Sequence, residues 1–93
     1  MKFTDHVVLV AGGTTGINFA VAKAFAVEGA KVCVLSRSQT NVDTALEELT
    51  RVSASVMGRA ADVRDTIQVS EAVAQVVSAW GDIDILVSGA AGN

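Results

Sequence analysis

The chain has no proline, no tyrosine and one cysteine among its 93 residues, and aromatic residues make up only 4% of it. Without proline there is no proline-rich linker, and without tyrosine no phenol can serve as an acid or base within this segment. Cys33 lies in an apolar run and has no second cysteine to pair with. We therefore predict a buried thiol in a protein of the reducing cytoplasm.

The chain also lacks an excess of basic residues and a long apolar run. Seven lysine and arginine residues stand against ten acidic ones, and the net charge of −3 does not favour binding to nucleic acid or to an anionic membrane. No apolar run reaches the roughly 18 residues of a membrane span, and the first residues contain no signal-peptide core. Because 51% of the residues are hydrophobic and 18% are charged, we expect a soluble, folded domain with a modest core.

Apolar runs and helical periodicities alternate along the chain. The predicted strands are Val7–Val10, Lys31–Leu35, Ser55–Ala60 and Ile83–Val87, and the predicted helices are Gly16–Glu28, Thr40–Val52 and the segment from Asp65 to Trp80. The order βαβαβαβ, with short connections and no hairpin signal, predicts an α/β fold with a doubly wound parallel sheet. We expect the strand order 3-2-1-4, with a ligand crevice above the first and fourth strands.

Helical spacing also predicts which side chains face the sheet. In the first helix they are Ile17, Ala20, Val21, Ala24, Phe25 and Val27, and in the third they are Ile67, Val69, Val73, Val76, Val77 and Trp80. Asp65 and Gln68 resemble a capping box at the start of the third helix. Gly29 and Gly81 are expected to end the first and third helices.

A glycine-rich turn joins the first predicted strand to the first helix. Gly12 would let the chain turn sharply, while Gly13 and Gly16 would keep side chains away from a ligand. The helix that follows would aim its N–H groups and positive dipole end at a phosphate. The spacing Gly12-x3-Gly16-x-Asn18 is neither the common G-x-G-x-x-G fingerprint nor a P-loop. A purely structural turn is the alternative, but the position between strand and helix favours nucleotide binding.

Three ordered segments resemble motifs of the short-chain dehydrogenase/reductase family, and together they span the chain. Residues 11–18 (AGGTTGIN) resemble the family's T-G-x-x-x-G-I-G cofactor motif, Asp62-Val63 resembles its Asp-Val after the third strand, and residues 84–92 (DILVSGAAG) resemble its D-I-L-V-N-N-A-G segment. The last residues, Ala90 to Asn93, are most similar to the 2,4-dienoyl-CoA reductase branch. The resemblance implies that residues 1–93 form the N-terminal part of one Rossmann-type dinucleotide-binding domain.

The resemblance also implies the site. Backbone amides around Gly13 to Ile17 would hold the pyrophosphate, and Asp62 with Val63 would contact the adenine. Ser88 and Ala90 would edge the nicotinamide ribose. The full set of predicted cofactor-binding residues is Gly12, Gly13, Thr14, Thr15, Gly16, Ile17, Ser36, Arg37, Asp62, Val63, Ser88 and Ala90.

Ser36 and Arg37 close the second predicted strand, where an acidic residue would accept hydrogen bonds from a ribose 2′-hydroxyl. A guanidinium is instead a bidentate, permanently charged partner for a phosphate. The pair therefore favours NADP over NAD, unless Arg37 is only a solvated surface side chain. Asp62 likewise has a purely structural alternative, as a loop residue that caps its neighbour.

The chain departs from the family pattern at three places. Ala11 stands in place of the usual threonine, Asn18 in place of the third glycine, and Ser88-Gly89 in place of the paired asparagines. Asn18 leaves two alternatives open. Either the helix stands slightly away from the strand, or the asparagine side chain bonds back to the turn.

Catalysis in the family uses a tyrosine and a lysine four residues later, and both lie beyond the matching region. The resemblance implies a full-length oxidoreductase that is a homo-oligomer and moves hydride between nicotinamide and a carbonyl, alcohol or enoyl substrate. Residues 1–93 alone are expected to be inactive. The alternative is a short, non-catalytic nucleotide-binding or dimerising module. We interpret His6 as a surface residue and Trp80 as a core residue. Asp82 and Asp84 are interpreted as turn residues, because no other metal-ligating residues accompany them.

Overall fold

The computed structural model describes residues 2–12 and 14–88, in which strands and helices alternate. The elements are β1 (Val7–Ala11), α1 (Gly16–Val27), β2 (Lys31–Ser36), α2 (Gln39–Leu49), β3 (Val56–Ala60), α3 (Thr66–Trp80) and β4 (Ile85–Ser88). All strand pairs are parallel, and the sheet has the order β3-β2-β1-β4. The predicted fold class and strand order are confirmed.

The two central strands are buried on both faces because helices cover the sheet from both sides. Alternate residues of β1 and β2 point to opposite faces, as the period of a strand requires. One face packs against α1 and α2 through Val8, Val10, Val32, Val34, Ala22, Ala26, Ala45 and Leu49. The other face packs against α3 through Val7, Leu9, Cys33, Leu35, Ala72 and Val76. Trp80 lies partly buried beside this second cluster, as predicted.

Side chains and glycines define the helix ends. The Ser38 hydroxyl accepts the Asn41 N–H at 3.1 Å and caps α2, while Asp65 Oδ1 accepts the N–H groups of Ile67 and Gln68 and caps α3. The predicted capping box is therefore only half formed, because Gln68 Nε2 donates to the Asp65 side chain rather than Gln68 accepting the Asp65 N–H. Gly29 and Gly81 follow α1 and α3 with φ of 90° and 92°, which confirms both predicted stops.

The predicted inner faces of α1 and α3 are wrong in part. In α1 the buried residues are Ala22 and Ala26, whereas Ile17 is 82% exposed. In α3 they are Ala72 and Val76, whereas Ile67 is 71% exposed. Ala20, Ala24, Val27 and Val77 are exposed as well. Both helices are apolar around most of their circumference, so hydrophobic spacing alone could not select the face that packs.

Two predicted element ends are also corrected. α2 ends at Leu49 rather than Val52, because the N–H groups of Arg51 and Val52 bond to carbonyls three residues back and tighten the last turn. β4 begins at Ile85 rather than Ile83. The Asp84 carboxylate accepts the Val7 N–H at 2.8 Å, and the Asp84 N–H donates to the Val7 carbonyl at 2.9 Å. Asp84, expected to be only a turn residue, therefore ties the start of β4 to β1.

Candidate functional site

The carboxyl ends of the strands bring the predicted site segments together along one edge of the sheet. The Gly12 N–H donates to the Leu35 carbonyl, and the Ala61 N–H donates to the Ser36 carbonyl, both at 2.8 Å. On the other side of β1, Ser88 pairs with Ala11 in register. The glycine-rich turn therefore lies between the ends of β2 and β4, and the residues after β3 lie beside the end of β2. Ligands of open α/β sheets bind at this edge, where the strand order reverses.

The glycine-rich turn leaves the start of α1 without a side-chain cap and with open space beside Gly16. Gly12 and Gly16 have φ of 70° and 62°, a region that side-chain-bearing residues rarely adopt. A Cβ added at Gly16 would meet no heavy atom within 4 Å, so the space beside the turn is open to a ligand. Thr15, the N-cap of α1, makes no side-chain capping bond, whereas α2 and α3 are capped. The first amides of α1 thus fit a pyrophosphate.

The other residues predicted for the turn occupy its rim. Thr14 is half-buried, and Thr15 and Ile17 are exposed. Gly13 lies outside the described residues, as does Ala90 at the far side of the predicted site. Ser88 is exposed at the end of β4. The described part of the turn and Ser88 therefore border the same open edge.

Asn18 reaches back to the strand that precedes the turn. Its Nδ2 donates to the Ala11 carbonyl at 3.2 Å, so the side chain bridges the first turn of α1 and the last residue of β1. The second of the two alternatives for this residue is therefore observed. Asn18 clamps the turn through its amide at the place where the family pattern has a glycine.

The end of β2 presents a guanidinium and no carboxylate. The Ser36 hydroxyl accepts the Ser38 N–H at 3.2 Å, which shapes the loop into α2. Arg37 is exposed, and no side chain among the described residues accepts a hydrogen bond from its guanidinium. Its positive charge contributes to lowering the pKa of Asp62. Arg37 thus lies within electrostatic reach of Asp62 and is free to meet an anion.

Asp62 is held in place by a short network at the end of β3. Its N–H donates to Gln68 Oε1, and its carbonyl accepts the Asp65 N–H, both at 2.9 Å. Its carboxylate accepts three bonds from Arg64: the backbone N–H at 2.9 Å, Nε at 3.1 Å and Nη2 at 3.0 Å. Asp62 therefore caps its neighbour, as the structural alternative predicted.

The bonds from Arg64 stabilise the ionised form of the Asp62 carboxyl. Hydrogen bonds from the Arg64 side chain and then from its backbone lower the pKa of the Asp62 carboxyl to about 2, with a smaller effect of the charge on Arg37. Asp62 is therefore ionised at neutral pH. Two carboxylate oxygens offer about four lone-pair sites, so three bonds leave about one on Oδ2 for a further donor such as an amino group. Val63, predicted to pack on the adenine, is 40% exposed beside it.

Arg64 was not among the residues predicted for this site. The signal available was the spacing Asp62-x-Arg64, because an aspartate commonly accepts the N–H of the residue two positions on. When the residue two positions on is an arginine, its guanidinium can also form a salt bridge with the aspartate.

The remaining reactive groups do not extend the site. Burial raises the pKa of the Cys33 thiol to about 12, so this predicted buried cysteine is not a nucleophile. Across residues 2–12 and 14–88, no group of three or more His, Cys, Asp or Glu side chains could hold a metal ion. None of the helices in the same ranges is long and apolar enough to cross a membrane.

Residues 6–93 match the family model of the short chain dehydrogenases. The chain belongs to this family. It is 40% identical over 92 residues to 3alpha-hydroxysteroid dehydrogenase of Mediterraneibacter gnavus, covering 97% of this chain and 37% of that protein. It is 45% identical over 89 residues to human dehydrogenase/reductase SDR family member 4, covering 96% of this chain and 32% of that protein.

Solved structures agree with this assignment. A short chain dehydrogenase from Bacillus anthracis superposes with a TM-score of 0.90 at 32% identity, over 97% of this chain and 36% of that one. A variant of actinorhodin polyketide ketoreductase with NADPH superposes with a TM-score of 0.87 at 35% identity, over 94% of this chain and 34% of that one. The chain spans about a third of the length of the relatives it matches.

Proposed function

We propose that the full-length protein is an NADP-dependent short-chain oxidoreductase and that this chain is its cofactor-binding part. The protein would move hydride between nicotinamide and a carbonyl, alcohol or enoyl substrate. The bound nicotinamide supplies the hydride donor or acceptor. Residues 1–93 supply binding and orientation, whereas the tyrosine and lysine that the family uses for proton transfer are not among them. This part alone is therefore expected to be inactive.

Each part of the dinucleotide has a matching surface at the carboxyl edge. The amides that open α1 would hold the pyrophosphate, because Gly12 and Gly16 shape the turn and leave open space beside it. Asp62 would accept the adenine amino group on its remaining lone pair while Val63 packs on the ring. Ser88 and Ala90 would border the nicotinamide ribose. The matched ketoreductase structure is one with NADPH, which supports a nicotinamide dinucleotide as the ligand.

The preference for NADP rests on one observation, the exposed Arg37 at the end of β2. No carboxylate stands at Ser36, Arg37 or Ser38 to accept bonds from a 2′-hydroxyl or to repel a 2′-phosphate. A charge-assisted bond from a guanidinium to a phosphate contributes about 1.5–3 kcal/mol. NADP is therefore favoured over NAD by roughly ten-fold or more, at about 1.4 kcal/mol for each factor of ten.

Replacing the arginine tests this preference. Arg37→Ala in the full-length protein should weaken NADPH binding about ten-fold or more and leave NADH binding nearly unchanged. Arg51→Ala is the matched control, because Arg51 is exposed after α2 and precedes β3, at the opposite edge of the sheet. Dissociation constants for both cofactors would be measured by titration. Equal losses for NADPH and NADH, or a wild type that prefers NADH, would exclude the proposed role of Arg37.

The substrate class is proposed at the level of a carbonyl, alcohol or enoyl group. A hydroxysteroid dehydrogenase, a tropinone reductase-like protein and a putative ketoacyl reductase are among the relatives, which supports carbonyl–alcohol chemistry. The similarity of Ala90 to Asn93 to the 2,4-dienoyl-CoA reductase branch stays a prediction, since those residues lie outside the described ones. A cytoplasmic location and a homo-oligomeric full-length protein also stay predictions.

A further inference from the structure

Arg64 and Asp62 form a bidentate ion pair next to the position proposed for the 2′-phosphate. The guanidinium contacts both carboxylate oxygens, at 3.1 and 3.0 Å, and the Arg64 N–H adds a third bond at 2.9 Å. The Arg64 side chain is 74% exposed and that of Asp62 is 28% exposed. Arg64 is therefore the solvent-facing partner of a carboxylate that the loop holds nearer to the protein.

The position of the Asp62 backbone does not depend on Arg64. Gln68 accepts the Asp62 N–H, and the Asp62 carbonyl accepts the N–H of Asp65, which caps α3. The bond from the Ala61 N–H to the Ser36 carbonyl holds this segment against the end of β2. Without Arg64, an ionised carboxylate would still stand within electrostatic reach of Arg37.

An unpaired carboxylate at this place would act against a phosphorylated ligand in two ways. It would repel the phosphate directly, and it would compete with the phosphate for the guanidinium of Arg37. Arg64 reduces both effects, because its charge offsets that of Asp62 and its donors occupy three of the roughly four acceptor sites of the carboxylate. Among the three charged side chains of this cluster (Arg37, Asp62 and Arg64), only Arg37 then carries an unpaired charge.

We infer that Arg64 is a second determinant of cofactor specificity, which favours a 2′-phosphorylated dinucleotide by neutralising Asp62 rather than by holding the phosphate itself. This inference rests on the proposed function, because it assumes that the 2′-phosphate lies beside Arg37. Arg64 is thus a positioning and charge-balancing residue, and its effect reaches the ligand through Asp62.

The first test is the variant Arg64→Gln in the full-length protein, with Arg51→Gln as the control for loss of an exposed arginine. We expect Arg64→Gln to shift the ratio of NADPH to NADH affinity about three- to ten-fold against NADPH at low salt, the size of one unscreened charge at short range. The shift should shrink at about 0.5 M salt, where exposed charges are screened. Arg51→Gln should leave the ratio unchanged.

The second test repeats the substitution in an Asp62→Asn background. A neutral carboxamide cannot pair with Arg37 in place of the phosphate, so Arg64→Gln should now shift the NADPH to NADH ratio clearly less than it does beside the native aspartate. A loss that persists in full in this background would show that Arg64 acts on the phosphate itself, by contact or by its own charge, and the inference would be wrong. Equal weakening of NADPH and NADH by Arg64→Gln would also overturn it, since that result indicates only a structural role in the loop.

The outcomes for the inference and for the proposed function are distinguishable. If the wild type prefers NADPH and Arg37→Ala removes that preference while Arg64→Gln does not alter it, the inference fails and the proposed function stands. If the wild type shows no preference for NADPH at low salt, the proposed cofactor and the inference both fail.

Discussion

Asn18 shows how one residue can replace a glycine in a close-packed turn. Its amide bonds to the Ala11 carbonyl, and Ala11 stands where the family pattern has a threonine hydroxyl. The two departures from the family motif are therefore neighbours in space, joined by one hydrogen bond. Sequence alone left this outcome open, because an asparagine can bond to the backbone or stand away from it.

Removing this bond should cost stability but little affinity. Asn18→Ala is expected to lower the free energy of unfolding by about 1 kcal/mol relative to Asn41→Ala, since a single hydrogen bond contributes roughly that amount. Asn41 is the matched control, because it occupies the same third position of α2 and its side chain makes no hydrogen bond within the described residues. Denaturant midpoints in the full-length protein measure the difference. Complete loss of cofactor binding by Asn18→Ala would show that Asn18 itself contacts the ligand.

Asp84 contributes to stability at the same scale, because its side chain accepts one hydrogen bond from the Val7 backbone. Asp84→Ala removes the acceptor of the Val7 N–H at a partly buried position, and leaving such a donor unpaired costs about 1–3 kcal/mol. Asp82→Ala, two residues earlier and exposed, should change the free energy of unfolding by less than about 0.5 kcal/mol. Equal midpoints of denaturation for the two variants would contradict the role assigned to Asp84.

At the scale of the elements, the contact of α2 with β3 depends on Gly58. A Cβ at this residue would lie 2.6 Å from Val42 Cγ1 and 3.3 Å from Leu46 side-chain atoms. Val42 is fully buried and stiff at χ1, so it has no easy way to move aside. The close approach of helix and strand therefore requires a residue without a side chain in β3.

Gly58→Ala is accordingly expected to destabilise the fold by about 1–3 kcal/mol, the usual cost of overpacking a core. The cost should be smaller when Gly58→Ala is introduced into a Val42→Ala background, because the clashing methyl group is then gone. Chemical denaturation of the wild type, both single variants and the double variant measures this coupling. If the two substitutions change the free energy of unfolding additively in the double variant, the clash with Val42 is not what destabilises Gly58→Ala.

Most elements were predictable from sequence, because buried strands are continuous apolar runs and α3 begins at a recognisable cap. The inner face of α1 was not, since Ile17 and Ala22 are both apolar and only packing decides which of them is buried. The sharp turn at Gly12 was predictable, because glycine readily adopts the positive φ of 70° found there, whereas cofactor binding by the predicted residues stays a prediction. Arg64 was missed because its role depends on a side-chain geometry that the spacing alone does not fix.

At the scale of the whole molecule, the strand order places β4 on the outside of the described sheet as an edge strand. Residues of β1 are buried throughout, whereas those of β4 are alternately half-buried and exposed, with Leu86 at 64%. Exposed apolar strand edges promote association. We therefore expect the isolated polypeptide 1–93 to self-associate or to be poorly stable at micromolar concentration, and Leu86→Lys to reduce the association. Sedimentation velocity would measure both, and a monomeric wild type that unfolds cooperatively would contradict this expectation.

Hydrogen exchange in the full-length protein tests most directly whether a dinucleotide lies along the carboxyl edge of the sheet. With NADPH at saturation, we predict slower amide exchange around Gly12 to Asn18, at Ser36-Arg37 and at Asp62-Val63. Exchange at the opposite edge, around Arg51 and Gly81, should be unchanged. Protection confined to that opposite edge, or absent from all three predicted segments while NADPH is bound, would contradict the account.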